Sequence, residues 1–74
     1  MRTTFDAEAD AAYIYLVPEM EPGRSVRTIE APGVEGGVVV LDFDVEGILL
    51  GVEIVGARQL LDPMLVAGAE RIDL

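Results

Sequence analysis

The distribution of apolar positions along this chain is that of strands rather than helices. Arg2 to Phe5 opens with two β-branched threonines, and the polar run Asp6-Ala7-Glu8-Ala9-Asp10 separates it from Ala11 to Leu16. In that second run Tyr13 and Tyr15 share one side, while Ala12, Ile14 and Leu16 share the other, so a hairpin is predicted with the acidic segment as its loop. Pro18 and Pro22-Gly23 interrupt the pattern over Val17 to Gly23. Ser25 to Ile29 is read as a third strand, and Pro32-Gly33 breaks the chain again. The strongest signal runs from Gly37 to Val55, where Val38–Phe43 and Ile48–Val55 flank the tetrapeptide Asp44-Val45-Glu46-Gly47. That tetrapeptide suits a type I turn with Gly47 left-handed, closing a second hairpin. One face then presents Val39, Leu41, Phe43, Ile48, Leu50, Val52 and Ile54 and is the predicted core. The other carries Val38, Val40, Asp42, Leu49, Gly51, Glu53 and Val55 and is half apolar. Such a sheet is expected to pack a helix on one side and meet a partner on the other.

Beyond Gly56 the composition turns helical. Ala57 to Leu61 reads as helix and Asp62-Pro63 as an N-cap followed by proline at the first helical position, so that either a fresh helix starts at Pro63 or one helix is kinked there, with Gly68 as the terminator. Ala69 to Leu74 is left as a tail, disordered or docked on a neighbour. The expected fold is therefore α+β, a five-stranded antiparallel β-meander packed against a C-terminal helix in two layers. It forms a single domain over residues 1–74, of which 62–74 are a C-terminal extension.

Composition sharpens this picture. A chain of 74 residues buries only about 60–65% of the surface its unfolded form exposes, so small domains usually lean on disulfides, a metal or association. There is no cysteine and no histidine, which removes disulfides, thiol chemistry and structural zinc. Association is left, and a 51% apolar content points to a subunit interface, a homodimer or higher homo-oligomer. Fourteen acidic residues against five basic ones, all arginine, give a net charge of −9. That balance argues against nucleic acid and against anionic membrane, and it allows a basic protein partner or a cation. The N-terminus lacks the apolar run of a signal peptide and no segment approaches membrane-spanning length, so the expected location is the cytoplasm.

Most catalytic chemistries fail on inventory. Ser25 is the only serine, no lysine stands ready to activate it, and no phosphate loop is present, so no cofactor is expected. The glycines of Gly33 to Gly37 lead into a strand rather than a helix. What remains are carboxylates. Asp42, Asp44, Glu46, Gly47 and Glu53 fall at positions 1, 3, 5, 6 and 12 of a calcium-loop spacing. The flanking segments are strands where that motif needs helices, and an acidic β-turn explains the same residues. Asp6, Glu8 and Asp10 form a second cluster, open to a divalent cation or simply to water. Glu53, the one acid on an otherwise apolar strand, is the candidate for partial burial. It is expected to pair with an arginine such as Arg27 or Arg58; the alternative is a general acid or base in a small-molecule enzyme.

Two segments together resemble a known family. Phe5, Asp6, Glu8, Asp10, Ala11, Tyr13 and Ile14, followed by Asp42, Asp44, Gly47, Gly51, Val52, Glu53 and Ile54, are similar to the paired motifs of the bacterial domain of unknown function 2283 family. The resemblance covers roughly residues 1–61. It implies a small antiparallel sheet with a C-terminal helix and implies no activity. The overall expectation is a non-enzymatic acidic interaction module. Divalent-cation binding and chemistry at Glu53 stand as alternatives.

Overall fold

The first hairpin and the last long strand meet side by side, and the rest of the sheet grows outward from that seam. In the computed structural model, which describes residues 1–74, β1 (Thr3–Asp6) pairs antiparallel with β2 (Ala11–Tyr15). A long connection leads to β3 (Arg27–Glu30), which pairs with β4 (Val38–Phe43), and β4 pairs in turn with β5 (Leu49–Val55). β2 lies against β5, with Ala12 opposite Ile54 and Ile14 opposite Val52. Two short helices follow, α1 (Ala57–Leu60) and α2 (Pro63–Gly68), and the chain ends in β6 (Glu70–Arg71), parallel to β1.

The expected five-stranded meander is thus corrected to a mixed six-stranded sheet of order β3-β4-β5-β2-β1-β6. The physical reason is the quality of β2. Its inward Ala12 and Ile14 match the apolar face of β5, whereas β3 offers a single apolar residue, Ile29, among Arg27, Thr28 and Glu30. The segment between β2 and β3 is long enough to pass β5 and β4, so β3 is sent to the edge. Arg24 on that crossing segment reaches Asp44 at 3.6 Å in the β4–β5 turn. The tail is corrected too: residues 70–71 add a strand to β1, and Ile72 N–H donates to the Phe5 carbonyl at 3.1 Å.

The core lies on the helix side. Phe5, Ala12, Ile54 and Ala57 are buried together, and Ile14, Val39, Val52, Leu60, Leu61 and Val66 pack around them. Of the seven residues predicted as core, Leu50 and Ile54 alone are fully buried, while Val39, Leu41, Phe43 and Val52 are half-buried. Ile48 is 51% exposed and falls outside β5. A register shift at Asp42/Phe43 takes Ile48 out of the ladder. Its N–H and carbonyl are instead tied to Asp44, whose side chain accepts at 2.9 Å and whose N–H donates at 3.0 Å. Gly47, at φ 84°, takes the left-handed turn position expected of it.

The helices are short and locally specified. Asp62 caps α2 by accepting from Met64 N–H at 2.8 Å, with Pro63 in the first turn. α1 has no cap of its own; Asp10, from the β1–β2 turn, supplies one at a distance. Its carboxylate accepts from Arg58 N–H at 3.0 Å, and its carbonyl accepts from Gly56 and Ala57 N–H at 2.9 and 3.0 Å. Asp10 does this from a left-handed backbone (φ 51°), a conformation Asp and Asn tolerate better than other side chains. No helix is long and apolar enough to cross a membrane.

Asp10→Ala is therefore expected to lose the carboxylate's bond to Arg58 N–H, while keeping the carbonyl bonds to Gly56 and Ala57 and the backbone strain, at a cost of about 1–2 kcal/mol. Asp10→Asn retains both the acceptor and the tolerance for that backbone. Thermal unfolding distinguishes them: the alanine variant melts about 4–8 °C lower per kcal/mol lost, and equal midpoints for the two variants contradict the tether.

Candidate functional site

The face opposite the helices is built by strand alternation. It carries Thr4 and Asp6 from β1, Ala11, Tyr13 and Tyr15 from β2, Gly51, Glu53 and Val55 from β5, and Val38, Val40 and Asp42 from β4. Its centre is a tyrosine laid across a glycine. Tyr13 sits beside Glu53 in the ladder, yet its ring crosses over Gly51 so that the hydroxyl donates to Asp42 Oδ2 at 2.7 Å. A side chain on Gly51 is sterically excluded: a Cβ there would lie 2.6 Å from Tyr13 Cζ. Tyr15 meets Tyr13 edge-on, with ring centroids 4.7 Å apart. Arg2 covers Tyr15 at 4.9 Å from the ring centre and is itself held by Glu70 of β6 at 2.9 Å. Burial pushes the Tyr13 hydroxyl pKa well above the ordinary tyrosine value, and its bond to Asp42, that carboxylate's charge and the charges of Tyr15 and Glu53 push it further.

The candidate carboxylates are spread over this frame. Asp42 is engaged by Tyr13 on the open face. Asp44 is buried in the β4–β5 turn, where it accepts from Glu46 and Ile48 N–H, both at 2.9 Å. The Ile48 and Glu46 N–H groups, with Arg24 nearby, hold its carboxyl below the ordinary range. Glu46 is exposed and contributes its N–H to that turn. Asp6 accepts from Glu8 and Ala9 N–H at 2.9 and 3.1 Å, Glu8 points to solvent, and Asp10 anchors α1. Asp42, Asp44, Glu46 and Glu53 do not come together as a calcium loop, nor do Asp6, Glu8 and Asp10 as a triad; no three acids converge on one point. The strands carry them apart, because Glu53 lies along β5 and does not fold back on the turn.

Glu53 is corrected on both counts. It is exposed, and neither expected arginine reaches it. Arg27 lies over Phe43 at 5.8 Å, on the opposite face. Arg58 lies over Phe5 at 5.2 Å and 3.6 Å from Asp10. Around Glu53, a shallow depression of about 210 Å³ is lined by Thr4, Asp6, Ala11, Tyr13 and Ile72. Sequence reasoning missed the Tyr13–Asp42 contact; the signal available was a glycine in the middle of an apolar strand, the mark of a close approach.

The structure defines a small α+β protein whose mixed sheet carries its helices on one face and a tyrosine–carboxylate network on the other. By sequence the chain belongs to the family described as Protein of unknown function (DUF2283), whose model matches residues 2–58 of the 74. No curated protein and no solved structure gives a significant match. The matched region ends within α1, so α2 and β6 lie beyond it.

Gly51→Ala is expected to force the Tyr13 ring out of its slot at a cost of about 1–3 kcal/mol. Tyr13→Phe keeps the ring and loses the hydroxyl bond, for about 1 kcal/mol. Because the folded pKa of Tyr13 lies above the unfolded value, its contribution is complete below about pH 10. It is lost as pH rises through the folded value. Ultraviolet titration of phenolate absorbance should show one late-ionising tyrosine in the native protein, absent from Tyr13→Phe; two tyrosines ionising together would contradict the buried hydrogen bond.

Proposed function

We propose that this protein is an acidic interaction module that receives a basic protein partner on its uncovered sheet face. The observation that carries this reading is the pair Glu30 and Glu53, both exposed, which flank Val40 across three neighbouring strands. No arginine pairs with either. Four of the five arginines are engaged by other acids: Arg2 by Glu70, Arg24 by Glu21 and Asp44, Arg58 by Asp10, and Arg71 by Asp73. Val38 and Val55, joined in the ladder, and Ile72, 55% exposed, supply apolar surface beside the acids. With Arg2 on this face already paired to Glu70, the charges left unpaired there are negative, and such a face with apolar surface complements a segment in which basic and apolar side chains alternate. The net charge of −9 would speed its encounter with such a partner. The reading is of binding, not catalysis: the Tyr13 hydroxyl, the one strongly perturbed group on this face, is held protonated and donates to Asp42.

The test is a nuclear magnetic resonance titration with a synthetic peptide of alternating arginine and leucine. Shifts are expected at Tyr13, Val40 and Glu53, with affinity falling as salt is raised. Glu53→Arg should weaken binding by at least about tenfold, whereas Glu46→Arg, the same charge change in the β4–β5 turn, should not. Shifts confined to α1 and α2, or equal losses in the two variants, would sink the proposal.

A further inference from the structure

The two edges of the sheet are unlike. One edge is the two-residue β6, added to β1; the other is β3, whose four residues are all exposed and which offers the longer run of unpaired main chain. Natural edge strands are usually guarded by short length, charged side chains, a proline or a bulge. β3 is short and carries Arg27 and Glu30 at its ends, but it contains no proline or lysine, and its register with β4 is unbroken from Arg27 to Glu30. The phase of its hydrogen bonds is fixed by Ala31 N–H donating to the Val39 carbonyl at 2.8 Å. Arg27, Ile29 and Ala31 thus turn their backbone groups toward β4, and Thr28 and Glu30 turn theirs outward.

We propose that β3 pairs antiparallel with β3 of a second copy of this chain, about a two-fold axis at Ile29, joining two sheets into one. The inference goes beyond the basic-partner reading and uses a different surface. An antiparallel edge pair has its axis perpendicular to the sheet, so residues brought opposite share a face and few registers are available. Centring on Glu30 sets two carboxylates directly against each other and places Pro32, which has no N–H, opposite Thr28. Centring on Thr28 brings up Val26, whose N–H is already given to the Phe43 carbonyl at 3.0 Å. Centring on Ile29 sets Thr28 against Glu30 of the second copy and Glu30 against its Thr28. Every outward N–H and carbonyl of β3 then finds a partner. No like charges stand opposite, since Arg27 faces Ala31. The two Ile29 side chains, each 37% exposed, meet beside the half-buried Leu41 residues. The exposed area fits an unpaired protomer: 4892 Å², against about 4,400 Å² expected for a monomer of this mass.

Light scattering across a dilution series should show a species of twice the 7.9 kDa chain mass. Thr28→Pro removes an outward N–H and leaves the β3–β4 ladder intact, so it should give a one-chain mass with unchanged circular dichroism. The chain has no cysteine, so Ile29→Cys provides an independent readout. The axis pair is non-hydrogen-bonded, with Cα atoms about 4.5 Å apart, within disulfide range. Oxidised glutathione should link Ile29→Cys into dimers well ahead of Thr28→Cys, whether or not Thr28→Pro folds. A one-chain mass at the highest concentration, a dimer that survives in folded Thr28→Pro, or equal linkage of the two cysteine variants would overturn the proposal.

Discussion

The pairing of β2 with β5 is the contact on which the remaining structure depends. Each of the two hairpins is a marginal object alone; joined at this seam they share Ala12, Ile14, Val52 and Ile54 on one face. On the other face the same seam is fastened by Tyr13, which belongs to β2, crosses β5 at Gly51 and bonds to Asp42 on β4. A single side chain therefore spans three strands, and the glycine beneath it is the condition for its doing so.

Seen from that seam, the acids of the family motif are largely architectural. Asp6 shapes the β1–β2 turn, Asp10 ties that turn to α1, Asp42 receives Tyr13, and Asp44 shapes the β4–β5 turn. Each accepts from donors that the strand ladders leave free, and a carboxylate accepting backbone N–H groups is a strong way to satisfy them. Glu8 and Glu53 are the motif acids without such a task, and Glu53, on the open sheet face, is set apart as a surface feature.

Local order was legible in the sequence because it is governed by local chemistry. The second hairpin, the left-handed Gly47 and the Asp62–Pro63 helix start follow from residues within a few positions of one another. Strand order was not, because it depends on which partner β2 prefers, a contest between Val52/Ile54 and the mostly polar β3 that alternation does not reveal. β6 escaped notice for the same reason: two residues, Glu70 and Arg71, carry no strand pattern and are strand only because β1 offers them an edge. A uniformly apolar face is not the same as a core: the helices cover only part of it and leave Leu41 and Phe43 half-buried.

The last four residues before the terminus have a consequence out of proportion to their length. With Glu70 and Arg71 paired to β1, and Asp73 gripping Arg71 through two bonds of 2.7 Å, β6 becomes the edge strand on that side and shortens the edge to two residues. A sheet whose two edges are both long can propagate, each copy recruiting the next. Here one edge is the two-residue β6 and the other the four-residue β3, so the shorter side leaves few main-chain groups free to recruit a neighbour.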